Sequence, residues 1–313
     1  MAKAVVVIFF LMAAVLLPLG AVLLVYGLKP VQVSARYDDS CIPNAPNNLA
    51  RQRYLWENVN NTQALQCTTT LEIPEDMDGP IYVYYELEGF YQNHRRYVRS
   101  RSNVQLAKAE GDPEIYLCEP LDYYAGDPSR LIDPCGLIAW TYFNDSYTME
   151  VTRTDTGNTE ELDISDKGIA FEADVEEIFA DYEPQNFNPD LSQWRGGGQI
   201  QGTPQSDERF INWMRIAALP NFRKLWGRIS TDLKKGDRVE VTIMNRYNTY
   251  SFDGVKSIVL ANTSWLGGHN IFLGTAYLVT GGVSFLMGLL YYFVRLLRPR
   301  KFGDISQLKE VDT

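Results

Sequence analysis

Two long uncharged segments, one near each end of the chain, constrain this fold more than any other feature. Ala4 to Leu28 holds 25 residues and Ile271 to Val294 holds 24, all without Asp, Glu, Lys or Arg. About 20 apolar residues cross the roughly 30 Å hydrocarbon core of a bilayer, so we predict two transmembrane helices. The alternatives are a cleaved signal peptide for the first segment, although signal cores usually hold about 7 to 15 apolar residues, and a buried core helix for the second.

The charges beside the second segment predict its orientation. Arg295, Arg298, Arg300 and Lys301 follow it at once, whereas no Lys or Arg lies between Lys256 and its start. By the positive-inside rule the C-terminus is cytosolic, and two spans place the N-terminus there too. The predicted parts are a short cytosolic N-terminus (1–3), spans at 4–28 and 271–294, an exoplasmic domain at 29–270 and a cytosolic tail at 295–313.

Sequons and cysteines also place the middle of the chain outside the cytosol. Sequons begin at Asn60, Asn144 and Asn262, and they are glycosylated only on the lumenal or extracellular side. An even cysteine count in an oxidising compartment predicts two disulfides. Four cysteines can pair in three ways, and pairing of neighbours in the sequence is the simplest. Four free thiols or a zinc site are the alternatives, but no C-x-x-C spacing occurs. The cysteines are Cys41, Cys67, Cys118 and Cys135.

Charge is segregated along the predicted exoplasmic domain. Residues 29–270 hold 23 Lys and Arg against 36 Asp and Glu, a net charge of −13. Residues 102–190 alone hold 4 against 21, which leaves the remainder at +4. The acidic stretch is predicted to be a solvated loop region that does not favour nucleic acid or anionic lipid. Partners are therefore expected on the basic remainder, and no nucleic-acid partner is predicted.

Local patterns predict an antiparallel sheet with one helical region. Apolar residues alternate along Ile81 to Glu88 and at Val239, Val241 and Ile243, and Asp253-Gly254 predicts a hairpin turn. Ser206 is a plausible N-cap for a helix that buries Phe210, Trp213, Met214 and Ala217, and Phe222, Leu225, Trp226 and Ile229 resume the helical period after Pro220. Gly196-Gly197-Gly198 predicts a flexible connection. The expected class is an α+β membrane protein, with two transmembrane helices bracketing a mainly antiparallel-β exoplasmic domain.

Catalytic motifs are absent from the sequence. It has no H-E-x-x-H, G-x-S-x-G or C-x-x-C, and its two histidines, His94 and His269, lie in a basic run and at a membrane boundary. Residue types alone do not exclude the paired carboxylates of a glycosidase. We predict a protein that is not an enzyme, without metal or cofactor and with N-linked glycans.

Small residues recur along both predicted spans. They let helices approach closely, which in lipid is a main source of association, although glycine is also ordinarily enriched in membrane helices. Neither span contains an ionisable residue of the kind that marks an ion path, so we predict helices that dock. The predicted packing residues are Ala13, Gly20, Gly27, Gly274, Gly281, Ser284 and Gly288.

Several unusual sequence blocks follow one another along the chain. Residues 89–98 read G-F-Y-Q-N-H-R-R-Y-V, residues 134–139 read P-C-G-L-I-A, and residues 143–145 read F-N-D. Residues 213–225 read W-M-R-I-A-A-L-P-N-F-R-K-L, residues 264–268 with 272–274 read S-W-L-G-G and F-L-G, and residues 300–304 read R-K-F-G-D. In this order the blocks resemble those of the flippase accessory (beta) subunit family, also called the cell division control protein 50 or ligand-effect modulator family, including the start of its second span and its cytosolic tail.

This resemblance implies a non-catalytic partner of type-IV P-type ATPases, which move phospholipids to the cytosolic leaflet. It implies a heterodimer that leaves the endoplasmic reticulum for Golgi, endosomal or plasma membranes, with neighbouring disulfides and a glycan at Asn144. Contacts with acidic loops of the ATPase are expected from the basic and aromatic residues of the blocks, with internal salt bridges as the alternative for each arginine. These residues are Phe90, Tyr91, Asn93, His94, Arg95, Arg96, Arg99, Trp213, Arg215, Phe222, Arg223, Lys224 and Trp265.

Topology alone allows two other classes of protein. One is an independent cell-surface adhesion or receptor glycoprotein, and the other is a lumenal hydrolase. Neither explains the ordered blocks, so the accessory subunit is the leading hypothesis.

Overall fold

A computed structural model describes residues 2–42, 44–108, 115–189, 197–265 and 267–297. The chain forms two compact units, one from Met1–Pro30 with Thr263–Thr313 and one from Val31–Asn262. Gly196, Leu266 and the predicted tail beyond Leu297 lie outside the described residues.

Helices and strands are numbered in chain order within the described residues. The α-helices are α1 Ala2–Leu28, α2 Asn48–Glu57, α3 Thr62–Leu65, α4 Arg95–Arg99, α5 Asn103–Leu106, α6 Leu137–Trp140, α7 Glu172–Glu177, α8 Glu208–Met214 and α9 Phe272–Leu297. The strands are β1 Gln32–Arg36, β2 Gln66–Glu72, β3 Ile81–Glu88, β4 Ser146–Thr152, β5 Thr159–Leu162, β6 Ile164–Ser165, β7 Phe222–Ile229, β8 Arg238–Met244 and β9 Val255–Ala261. Short 3₁₀ turns lie at Ile115–Cys118, Tyr124–Gly126 and Tyr250–Phe252.

The first unit pairs helices α1 and α9. Ala4–Leu28 and Phe272–Leu297 are each long and apolar enough to cross a membrane, which indicates a membrane protein with two spans. The helices are antiparallel, since Phe9 near the start of α1 stacks on Tyr291 near the end of α9, with ring centroids 5.8 Å apart.

The second unit contains two antiparallel sheets around one core. The five-stranded sheet has the order β1-β9-β3-β7-β6, and the four-stranded sheet has the order β2-β8-β4-β5. Ile81, Val83, Tyr85 and Leu87 alternate into the core from β3, and β4 and β8 contribute to the same apolar cluster. The predicted mainly antiparallel-β fold class is therefore confirmed.

The segment predicted to resume a helix after Pro220 is strand β7, so this part of the prediction is wrong. β7 pairs with β3, and the register shifts between Val83 and Tyr84, which leaves one extra residue at Trp226. A bulge of this kind reverses the alternation of side chains along a strand. Phe222, Leu225, Trp226 and Ile229 consequently acquire a spacing that imitates a helix.

The predicted hairpin at Asp253-Gly254 is also wrong. Tyr250–Phe252 forms a 3₁₀ turn, and Asp253 adopts a left-handed conformation with φ 54°. β9 begins at Val255 and pairs with β1 on one side and β3 on the other. The Asp253-Gly254 turn therefore precedes β9, whose two neighbours in the sheet, β1 and β3, both come earlier in the chain.

The helix predicted after Ser206 is present as α8, but its N-cap is Asp207, whose side chain accepts a hydrogen bond from Phe210 N.

Candidate partner-binding surface

Two family-like blocks that are distant in sequence lie side by side in the second unit. The loop 89–93 after β3 runs along the segment 217–221 before β7, and four hydrogen bonds join them. These bonds run from Gly89 N to Asn221 Oδ1 (3.1 Å), Phe90 N to Pro220 O (3.0 Å), Asn93 Nδ2 to Ala218 O (2.9 Å) and Ala217 N to Gln92 Oε1 (2.8 Å). Because these bonds fix both backbones, the outward side chains Tyr91 and Leu219 are held on the surface, 63% and 67% exposed.

The helix α4 carries a group of exposed basic side chains. His94 caps its start, where Nδ1 accepts a hydrogen bond from Arg96 N. Arg95, Arg96 and Arg99 are exposed and form no ion pair with any residue in the described part of the chain. With Tyr116, Leu117 and Glu119 they line an open cavity of about 550 Å³. We call His94, Arg95, Arg96, Arg99 and this cavity the arginine surface.

Other predicted contact residues belong to the core, which corrects that part of the prediction. Trp213 is fully buried and donates from Nε1 to Ile138 O at 2.7 Å, so it cannot contact a partner. Phe90 packs edge-on against Trp213, Phe222 and Tyr97. Phe90 and Phe222 therefore position the surface loop from below.

Three further predicted cations are engaged within the chain. Arg215 pairs with Asp174 (Nε–Oδ2 2.5 Å), and Arg223 lies 3.4 Å from a carboxylate oxygen of Glu86. Lys224 is buried and donates from Nζ to carbonyl oxygens at the end of α8, including that of Asn212 at 3.0 Å. Burial and the nearby Arg215 lower the pKa of Lys224 to about 7. Arg215 and Arg223 keep some exposure, whereas Lys224 is excluded from direct contact with a partner.

The F-N-D block holds a buried ion pair that the sequence analysis missed. Asp145 and Lys256 have no exposed side-chain surface, and Oδ2 accepts a hydrogen bond from Nζ at 2.6 Å. Nζ also donates to Asn245 Oδ1 (2.5 Å) and Tyr247 O (2.6 Å), while Asp145 accepts from Tyr37 Oη (2.7 Å) and Tyr247 N (2.6 Å). We call these five residues the buried ion cluster. The sequence carried one sign of this pair, because Lys256 alternates with Ile258 and Leu260 along β9. All three side chains are buried.

The disulfides and the asparagines of the three sequons belong to the second unit. The disulfides join Cys41 to Cys67 and Cys118 to Cys135. Asn60 is exposed, whereas Asn144 and Asn262 are partly buried. The Asn262 side chain accepts a hydrogen bond from Val31 N at 2.7 Å, which leaves its amide nitrogen as the modifiable atom.

The predicted small residues lie where α1 and α9 meet. A Cβ added at Gly274 would lie 2.5 Å from Leu24 N, and one added at Gly20 would lie 2.8 Å from Leu278 N. Ala13 and Ser284 are buried there too, Gly281 and Gly288 face Leu17 and Phe10, and Gly27 faces Asn270. Within the first unit, the small residues of each helix therefore pack against the other helix.

Trp265, expected on the exoplasmic domain, belongs to this first unit, where it is 70% exposed and its ring packs edge-on to Tyr26.

Comparison with known proteins gives the chain close relatives over most of its length. It is 43% identical to ALA-interacting subunit 3 of Arabidopsis thaliana over 303 residues, covering 96% of this chain and 82% of the relative. It is 33% identical to cell cycle control protein 50A of Bos taurus, covering 97% of this chain and 85% of the relative. It is 30% identical to the phospholipid-transporting ATPase accessory subunit CDC50 of Chaetomium thermophilum, covering 77% and 63%.

The family comparison agrees with these relatives. Residues 23–301 match the model of the LEM3 (ligand-effect modulator 3) family / CDC50 family. This match includes the last residues of α1, the whole of α9, both disulfides and the three blocks that meet around Trp213. The chain therefore belongs to the LEM3/CDC50 family.

Proposed function

We propose that this chain is the non-catalytic accessory subunit of a phospholipid-transporting ATPase, with which it forms a heterodimer. The observation that carries the proposal is its similarity, along nearly its whole length, to relatives named for that partnership. Its work is to stabilise the ATPase, bring it out of the endoplasmic reticulum and support its transport cycle.

The proposed topology has two spans and cytosolic ends, with the second unit on the exoplasmic side. Three arginines and a lysine end or follow α9, the cysteines are oxidised, and the sequons all lie between the spans. N-linked glycans at Asn60, Asn144 and Asn262 belong to this proposal. Its membranes are those of the secretory route from the endoplasmic reticulum to the Golgi, endosomes or cell surface, and membrane lipids surround both helices.

The arginine surface is the proposed exoplasmic contact for the ATPase. Arg95, Arg96 and Arg99 lack internal carboxylate partners within the described residues, so their donors are free for acidic side chains of another protein. Arginine presents a planar fork of donors that matches a carboxylate in two-point geometry. Exposed charge pairs are screened by salt, so raising ionic strength should weaken this contact.

Co-purification tests the function. The tagged full-length chain, expressed with a phospholipid-transporting ATPase catalytic subunit, should retain that ATPase in detergent, and its glycans should mature only when the two are expressed together. Maturation of the glycans in cells that lack every such ATPase would overturn the obligate-partner proposal. Failure to retain any candidate ATPase would overturn the partnership.

A matched pair of triple variants tests the surface separately. Arg95→Gln/Arg96→Gln/Arg99→Gln should lower ATPase retention at least tenfold. Lys234→Gln/Lys235→Gln/Arg238→Gln removes the same number of exposed positive charges elsewhere on the second unit and should retain the ATPase as the unmodified chain does. Equal retention by both variants would exclude the arginine surface as the contact and leave the accessory function to be carried by other residues.

A further inference from the structure

A second cavity in the exoplasmic unit, about 390 Å³ in volume, has a charged rim and an apolar floor. Its size lies at the lower end of the range for ligand sites in proteins. The rim carries Arg101, Asp174 and Arg215. The floor and walls consist of Ile178, Phe179, Ile211, Met214 and Ile216. The cavity therefore suits an apolar group that carries a charge.

The charges on the rim do not cancel. Arg215 pairs with the nearly buried Asp174, and its guanidinium carbon lies 3.8 Å from the centre of the Phe171 ring. Arg101 has no such partner, because within the described residues its side chain makes one hydrogen bond, from Nη1 to Met214 O at 3.3 Å. One positive charge is left over beside an apolar floor.

The surroundings of Arg101 make that charge unfavourable in the free chain. Its side chain is partly buried, and burial lowers the pKa of the Arg101 guanidinium, an effect that the Asp174 carboxylate offsets only in part. A partly desolvated cation without a counterion costs free energy, and a bound anion removes that cost. Among anions, a carboxylate matches the guanidinium fork in two-point geometry. The apolar floor adds a requirement for an apolar group next to the carboxylate.

We infer that this cavity is an anchor site for an exoplasmic loop of the ATPase, which inserts an acidic side chain beside an apolar one. The inference rests on the proposed function and adds a second contact to it, distinct from the arginine surface. Charge complementarity selects the acidic side chain, and the floor of Ile211, Met214 and Ile216 selects its apolar neighbour. A peptide loop supplies both groups from adjacent positions.

The first test removes the charge while keeping the apolar stem of the side chain. Arg101→Met in the full-length chain should lower ATPase retention at least tenfold, whereas the thermal midpoint of the free chain should stay the same or rise. Arg238→Met, at an exposed position on the outer face of β8, is the matched control and should change neither measurement. Unchanged retention by Arg101→Met would overturn the inference, with or without a loss of stability.

The second test identifies what occupies the cavity, and it remains informative if Arg101→Met folds poorly. A photo-crosslinking amino acid at Ile178, a wall residue that is 39% exposed, should label an ATPase exoplasmic loop that contains Asp or Glu, and changing that acid to Asn or Gln should abolish the label. Labelling of lipid, of this chain itself or of nothing would overturn the anchor site. If the unmodified chain retains the ATPase in the same experiment, the proposed function survives that failure.

Discussion

The buried ion cluster and the arginine surface both come from family-like blocks, yet they treat charge in opposite ways. Asp145 and Lys256 are fully buried, and their side chains are held by hydrogen bonds of 2.6–2.7 Å to Asp145 and 2.5–2.6 Å from Lys256 Nζ. Arg95, Arg96 and Arg99 are exposed and unpaired within the described residues. A shared block therefore does not identify a shared role, because burial and pairing separate charges that hold the fold from charges left for a partner.

The two regions are also linked through the core. α4 ends at Arg99, and the following Ser100 lies against Gly136, whose missing side chain allows the two backbones to touch. Ser100 Oγ accepts a hydrogen bond from Leu137 N at 2.8 Å, and α6 in turn supplies the acceptor for Trp213. The core thus determines where the arginines are presented.

The largest effect is expected from breaking the buried ion cluster. Asp145→Asn keeps the sequon at Asn144 but leaves the Lys256 ammonium without its counterion, and we expect the free energy of unfolding to fall by about 3–5 kcal/mol. Urea unfolding of the full-length chain in detergent measures it. Glu150→Gln, on the outward face of β4, is the control and should stay within about 0.5 kcal/mol. A loss below about 1 kcal/mol for Asp145→Asn, typical of an exposed pair, would show that the cluster does not hold the fold.

The next effect concerns the link between the two regions. Gly136 has φ 97°, and an added Cβ would lie 2.2 Å from the Ser100 carbonyl oxygen. Gly126 also has positive φ, 74°, but an added Cβ would meet nothing within 4 Å. Gly126→Ala should therefore cost about 1–2 kcal/mol for the left-handed backbone alone, and Gly136→Ala a further 1–3 kcal/mol, roughly, for the clash. Thermal unfolding compares them, and equal losses would mean that the contact at Ser100 yields without cost.

The sequence predicted those parts of the fold in which local pattern and tertiary environment agree. β3 and β8 were found because each buries every second residue of an alternating segment, and α8 because its apolar residues follow the helical period. β7 was misassigned because its bulge at Trp226 changes the side-chain phase, and this depends on pairing with a strand more than 130 residues earlier. Local pattern carries no information about such a partner.

The same distinction applies to the candidate site. The residues of the arginine surface were identified from the sequence, because the block at 89–98 resembles a family motif and a basic run is a local feature. The burial of Trp213 and Lys224 was not, since both lie in the same block as exposed residues and only the packing of α8 on β7 separates them. Arg101 was missed because nothing in its local sequence shows that it lacks a carboxylate partner.

Lys224 lies between the two extremes of the comparison, because it is buried but pairs only with carbonyl groups. Its pKa is lowered to about 7 in the folded chain, whereas an unfolded lysine titrates near 10.4. Between these values the unfolded chain holds a proton that the folded chain has lost, so this group makes stability rise with pH, by at most about 1.4 kcal/mol per pH unit. Lys224→Met should reduce the rise measured by urea unfolding between pH 7.5 and 9. An unchanged slope would mean that the carbonyl groups keep Lys224 protonated in the folded chain.

The smallest effect on stability is expected at the arginine surface, where it most sharply tests the comparison. Arg95, Arg96 and Arg99 make no ion pair within the described residues, so Arg95→Gln/Arg96→Gln/Arg99→Gln breaks no described ion pair. It also relieves repulsion among three like charges on one short helix. We expect its free energy of unfolding in urea to stay within about 0.5 kcal/mol of the unmodified chain. A loss comparable to that of Asp145→Asn would instead place these arginines in the fold and remove the argument that they are left for a partner.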